Sequence, residues 1–181
     1  MILRKVNAWF CVYLSKEDLQ MEIVQEVRKN EIICHSKKYP AVHSHFHWHE
    51  NYEICQVLNK PCNFRVDGQL IEANVGDIIA INEHIIHQFL VSNADTDIRI
   101  FQFPLKILLN FSAVIEPLKV HITREEILAV QGLEETLNML FCMMEKEGKV
   151  IKAFENPFLQ SIAASVYLLL ERHFSDRKSV V

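Results

Sequence analysis

Two histidines and a glutamate recur at even spacing in the stretch His47-Trp48-His49-Glu50-Asn51-Tyr52-Glu53. Successive side chains of a β-strand alternate between its faces, so even spacing means one face. Two imidazoles and a carboxylate then point the same way, and His87, on a later candidate strand, adds a third imidazole. Three His and one carboxylate form an N/O donor set suited to Fe(II), Mn(II), Ni(II) or Zn(II). The same four residues serve equally as the polar lining of a mostly apolar small-molecule pocket. Trp48, Tyr52 and Ile54 fall on the opposite parity and face a covering layer, while Cys55 and Val57 continue the inner face.

The surrounding pattern is one of short strands. Ile32 to Cys34, His45 to Leu58 (a central strand with a bend), Cys62 to Val66, Gln69 to Ala73, Ile78 to Ile81, Phe89 to Val91 and Ile98 to Phe103 are separated by polar turns. Asp67-Gly68 is the clearest hairpin signal. Closely spaced strands of this kind build an antiparallel barrel or sandwich. Before them, Ala8 to Leu14 reads as a short buried strand. Ser15 as a cap, followed by Leu19, Ile23 and Val27, predicts an amphipathic helix over 16–29.

After Pro104 the pattern turns helical. Thr123-Arg124-Glu125-Glu126 matches a capping box, in which the Thr hydroxyl takes a helical N–H and the Glu reaches back. The stripe Leu133, Leu137, Leu140, Phe141 and Met144 follows, with Gly148 as the stop. Asn156-Pro157 opens a second helix with Ile162, Val166, Leu169 and Leu170 on one side. The stripe is core if it packs on the barrel and an isologous interface if a second copy covers it.

Composition excludes several classes. Half of the chain is hydrophobic, and Gly and Pro number only four and five, which argues against disorder. The net charge of −4 offers nothing to nucleic acid. Five scattered cysteines without a C-x-x-C pair read as free thiols of a reducing compartment. No apolar run approaches the ~18 residues of a membrane span, and Asn7 and the charged Lys16-Glu17-Asp18 spoil a signal peptide. A soluble, cytoplasmic protein is expected.

The spacing His47-x-His49-x-x-x-Glu53, then Gly76, then His87 resembles the two-motif signature of cupin barrels. Phe46-His47-Trp48-His49-Glu50, Tyr52-Glu53-Ile54 and Gly76-Asp77-Ile78 more narrowly resemble the N-terminal sensor domain of AraC/XylS-type transcription regulators. Ala41 and Lys60 stand where the first cupin motif usually has Gly, and Asn82, His84 and Val91 replace the usual Pro, Gly and Asn of the second. The spacing is kept and the turn residues are not, so the barrel carries over and the metal stays an alternative.

The resemblance implies a mainly β chain with α, a cupin-like double-stranded β-helix (jelly-roll barrel) followed by a C-terminal helical hairpin. Residues 1–111 would form the effector-binding barrel and 112–181 a helical dimerisation region packed on it. Such regulators add two helix-turn-helix units, for which this chain supplies no basic recognition helix. The expected function is small-molecule sensing, a sugar being one candidate, and homodimerisation, without catalysis and with DNA contacted only through a part outside this chain. His47, His49, Glu53, His87 and Arg99 are the expected ligand-binding residues. Arg99 is included for its rigid donor fork, which Arg65 shares. His43 and His45 are expected to be exposed, His45 being the one that can reach the barrel mouth, and His84 sits in a loop. No cofactor is required. The alternatives are a cupin metalloenzyme, a dioxygenase or isomerase holding a divalent transition metal on His47, His49, Glu53 and His87, and a bare dimerisation domain with an empty pocket.

Overall fold

Along strand after strand, apolar side chains alternate between two separate interiors, and that alternation builds three layers. The computed structural model describes residues 2–5, 23–27, 31–147 and 156–176. Its strands are β1 (Ile2–Lys5), β2 (Val24–Val27), β3 (Ile33–Tyr39), β4 (Val42–His43), β5 (His47–Trp48), β6 (Asn51–Val57), β7 (Cys62–Val66), β8 (Gln69–Ala73), β9 (Ile78–Ile81), β10 (His87–Val91), β11 (Thr96–Pro104) and β12 (His121–Ile122). The helices are α1 (Leu105–Leu108), α2 (Arg124–Leu128), α3 (Leu133–Glu147) and α4 (Pro157–Phe174).

One sheet runs β1-β2-β5-β10-β7-β8, with β4 also on β10, and the other runs β12-β9-β6-β11-β3. Cys55, Val57, Phe64, Ile79, Ile81, Ile98 and Ile100 fill the space between the sheets. Their neighbours of opposite parity, Tyr52, Ile54, Phe101 and Phe103, pack outward against Phe141, Leu159 and Tyr167 of the helical layer. Strand β6 is buried along its whole length because both of its faces are covered. The fold is the mainly β one expected, two facing sheets with helices after them.

Local chemistry explains the joints. Asp67 and Gly68 have φ of 48° and 77°, and Val66 pairs directly with Gln69, as a two-residue turn of left-handed residues requires. The Thr123 capping box forms as expected. Asn156 caps α4 through the N–H groups of Phe158 and Leu159, with Pro157 at the first position.

Three expectations change. The helix over 16–29 gives way at Val24–Val27 to strand β2, antiparallel to β1 and parallel to β5. Two β-branched valines and the open edge of β5, whose neighbour Phe46 accepts from the Val24 N–H at 2.9 Å, outweigh a helical spacing. The rest of that segment, the strand expected over Ala8 to Leu14 and the Gly148 stop lie outside the described residues. The long strand from His45 to Leu58 is two strands, β5 in one sheet and β6 in the other, with His49 and Glu50 at the crossing. The helix after Thr123 is also divided, because Gly132 takes a φ of 74° between α2 and α3. Within α3, Leu133, Leu137, Phe141 and Met144 are buried and Leu140 partly so, which makes the stripe core.

Candidate ligand-binding site

Strands β5 and β10 run antiparallel with His47 directly opposite His87, which brings the two ring centroids to 4.1 Å. His49, two residues on at the crossing, keeps the parity of His47 and lies 5.0 Å from His87, ring to ring. One nitrogen from each of the three imidazoles falls within 4.8 Å of the others. The outer nitrogens are all engaged alike. Nδ1 of His47, His49 and His87 lies 2.9 Å from the backbone oxygens of His45, Asn51 and Ile85, respectively. A carbonyl only accepts, so each Nδ1 carries the proton and donates it, and Nε2 is the nitrogen turned to the centre.

Glu53 stands behind this cluster. Its Oε2 is 3.0 Å from His49 Nε2 and also accepts from the Gln102 amide, while its Oε1 accepts from the Cys55 thiol at 3.0 Å. Burial by itself raises a carboxyl, but the hydrogen bond from His49, the neighbouring imidazoles and the Cys55 thiol bond together outweigh it and hold Glu53 well below the usual carboxylate range. Burial likewise opposes an imidazolium at His49, and the bond and charge of Glu53 outweigh it, so its pKa is raised. His87 has no such bond, and burial pushes it down to about 3. Its Nε2 is buried without a hydrogen-bond partner among the described residues.

The donor set fits a divalent transition metal. His47, His49 and His87 would hold it through Nε2, their Nδ1–H groups being pinned as ligating histidines usually are, with Glu53 alongside. The ion would there act as a Lewis acid toward a ligand oxygen.

A cavity of about 410 Å³ opens beside the cluster, between the β3 edge of one sheet and strands β2 and β5 of the other. Val24, Tyr39, Phe89 and Ile100 give it apolar walls, and His47 and Gln102 reach it from the cluster. Its size and mixed lining are those of a small-molecule site. The family model for the AraC-like ligand binding domain matches residues 29–161, which include the cluster and most of the cavity wall. The chain belongs to that family.

Solved structures similar to this AraC-like domain include KdgF from Halomonas sp., at 18% identity over 42% of this chain and 72% of that one, with a TM-score of 0.37. A RmlC-like cupin from Shewanella frigidimarina is similar at 17% identity over 42% and 70%, with a TM-score of 0.38. A single-residue mutant of salicylate 1,2-dioxygenase from Pseudoaminobacter salicylatoxidans is similar at 12% identity over 45% and 24%, also at 0.38. The sequence matches none of the curated proteins compared with it.

Of the expected site residues, the AraC-like domain brings His47, His49, Glu53 and His87 together. Arg99 is a correction. It lies on the outer face of β11, where its Nε donates to Glu145 of α3 at 3.1 Å and its Nη1 to Gln56 at 2.5 Å. Parity is the reason, because Ile98 and Ile100 take the inner face. Arg65 is also outward, 5.8 Å from the ring of Phe46. His43 and His45 are exposed, and His45 does reach the cavity. His84 lies in the loop after β9, 5.7 Å from Trp48, ring to ring. The sequence reading missed His35, Lys37 and Gln102 in the cavity wall. The signal was present, since β3 pairs with β11 with Lys37 opposite Ile98 and His35 opposite Ile100, inner face to inner face.

Proposed function

We propose that this chain is the small-molecule-sensing domain of an AraC-type transcription regulator, acting in the cytoplasm as a homodimer and without catalytic turnover. DNA is bound by helix-turn-helix units elsewhere in the regulator, and the helical layer pairs the subunits. The observation that supports the reading is the 410 Å³ cavity with apolar walls and a polar end formed by His47 and Gln102. Occupancy shifts the regulator only if the ligand binds two arrangements of the subunits with different affinity. Strand β2 is a candidate transmitter, because Val24 and Glu26 line the cavity while the same strand pairs with β1 and β5.

The experiment is a thermal-shift screen of small metabolites on protein purified without a His tag, with metal content measured in parallel. A ligand at one hundred times its Kd adds about 2.7 kcal/mol, a rise of roughly 5–10 °C for a chain of this size. Metal-free protein stabilised by a metabolite supports the sensor. The convergence of His47, His49 and His87 favours a second reading, a cupin metalloenzyme (a dioxygenase or isomerase). Stoichiometric metal that is lost in His47→Ala and His49→Ala, together with turnover, would replace the first reading by this one.

A further inference from the structure

The inner end of the cavity is chemically one-sided. Gln102 is 3% exposed, and its Nε2 donates to the Glu53 carboxylate, which can only accept. That bond fixes the amide so that Oε1 is the free atom, and Oε1 is buried with no partner among the described residues. His47 shares the same end of the cavity, and with Nδ1–H committed to the His45 carbonyl, Nε2 is the ring nitrogen left for an occupant. A buried acceptor without a donor costs about 1–3 kcal/mol, so this end favours an occupant that brings donors.

The mouth has the opposite character. Lys37 is exposed on edge strand β3, opposite Ile98 on the inner face of β11, and its Nζ lies 5.1 Å over the ring of Tyr39, another wall residue. The long side chain therefore lies along the inner face, and the charge sits at the rim. His35 and His45 add ring nitrogens to the lining. Among the described residues of the lining Glu26 is the one carboxylate, and its charge acts on His49.

Resting on the sensor reading of this cavity, we propose that its ligand is a small hydroxylated carboxylate. Its hydroxyl groups donate to Gln102 Oε1 and His47 Nε2, and its carboxylate meets Lys37 at the rim. The apolar faces of Tyr39, Phe89 and Ile100 cover the carbon frame between them. Lys37 fixes the charge of the ligand and Gln102 fixes its hydroxyl end, so the two residues set specificity separately.

Three probes separate these features in calorimetric titrations of the whole chain at pH 7, namely D-glucuronate, D-glucose and cyclohexanecarboxylate. The first carries hydroxyls and a carboxylate, the second hydroxyls only, the third a carboxylate only. D-glucuronate is expected to bind at least tenfold more tightly than either of the others. Lys37→Ala should bring D-glucuronate down to the level of D-glucose and leave D-glucose unchanged, with Lys37→Arg restoring part of the difference. Lys37 is exposed, so the variant keeps the fold, which circular dichroism checks. Equal binding of D-glucose and D-glucuronate, a preference that survives Lys37→Ala, or no binding of any probe overturns the assignment. Survival of the preference would show that Lys37 only guards an edge strand. If the metabolite screen instead finds a neutral or cationic ligand, the sensor reading stands and this assignment alone falls.

Discussion

Arg99 on β11 and Glu145 on α3 form an ion pair of 3.1 Å across the joint between barrel and helices, with side chains 14% and 21% exposed. Ser36 also donates to Glu145, and the guanidinium stands 5.2 Å over the ring of Phe141. A mostly buried pair contributes little net energy when intact but is costly to break, because the remaining charge is left unpaired. Arg99→Ala should lower stability by about 1–3 kcal/mol after allowance for partial exposure, read from the urea midpoint. Ligand affinity should stay within about twofold. A tenfold loss of affinity with little loss of stability would return Arg99 to the binding site.

Phe141 tests whether barrel and helices are one cooperative unit. It is fully buried, 6.3 Å from Phe101 ring to ring, in a core that joins β6 and β11 to α3 and α4. Phe141→Ala should cost about 3–5 kcal/mol. In the parent chain, unfolding followed by helical circular dichroism and by tryptophan fluorescence should coincide. Two separate transitions would show that the helical layer melts on its own.

Gly76 separates backbone conformation from space. Its φ is 93°, and a Cβ there would run into the side chain of Arg124 at the start of α2. Gly68, at a φ of 77°, has nothing within 4 Å of such a Cβ. Gly68→Ala therefore measures the conformational cost alone, about 1 kcal/mol, and Gly76→Ala should cost more. Adding Arg124→Ala should bring the two costs together, because the long side chain is the obstacle. Equal costs in the parent background would mean that Arg124 swings away freely.

Parity explains both what the sequence showed and what it hid. His47, His49, Glu53 and His87 were legible because even spacing survives the crossing between sheets at His49. Arg99 has the chemistry of a ligand-binding residue, yet a polar residue between Ile98 and Ile100 is on the outer face by the same parity. Lys37 is hidden because a strand ended at Cys34 conceals the inner face of β3, which in fact runs to Tyr39. The helix read over Val24–Val27 failed for a non-local reason. A short segment with both patterns takes the partner that offers backbone hydrogen bonds, and β5 is not visible from residues 24–27. Gln102 shares the inward parity of Ile98 and Ile100, but its bond to Glu53 depends on β6 and β11 meeting, which no local pattern shows.

The buried histidines separate by pH. His87 has its pKa lowered to about 3 by burial, so between pH 6.5 and 3 the unfolded chain binds a proton there that the native chain does not. Stability must therefore fall as pH falls through that window. His49 works the other way. Its pKa is raised, so its contribution is complete below pH 6.5 and is lost only as pH rises above the native value. Glu53 has its pKa lowered from 4.5, and its contribution fades only as pH drops below that. From pH 6.5 to 5 His87 thus acts alone among the three, and the loss should be roughly 2 kcal/mol at about 1.4 kcal/mol per pH unit. Urea midpoints measured across this range with a chelator present should show that decline, and His87→Leu should flatten it by the same amount. A decline that persists undiminished in His87→Leu would place the acid sensitivity elsewhere in the chain and would mean that the His87 ring takes up its proton in the native state.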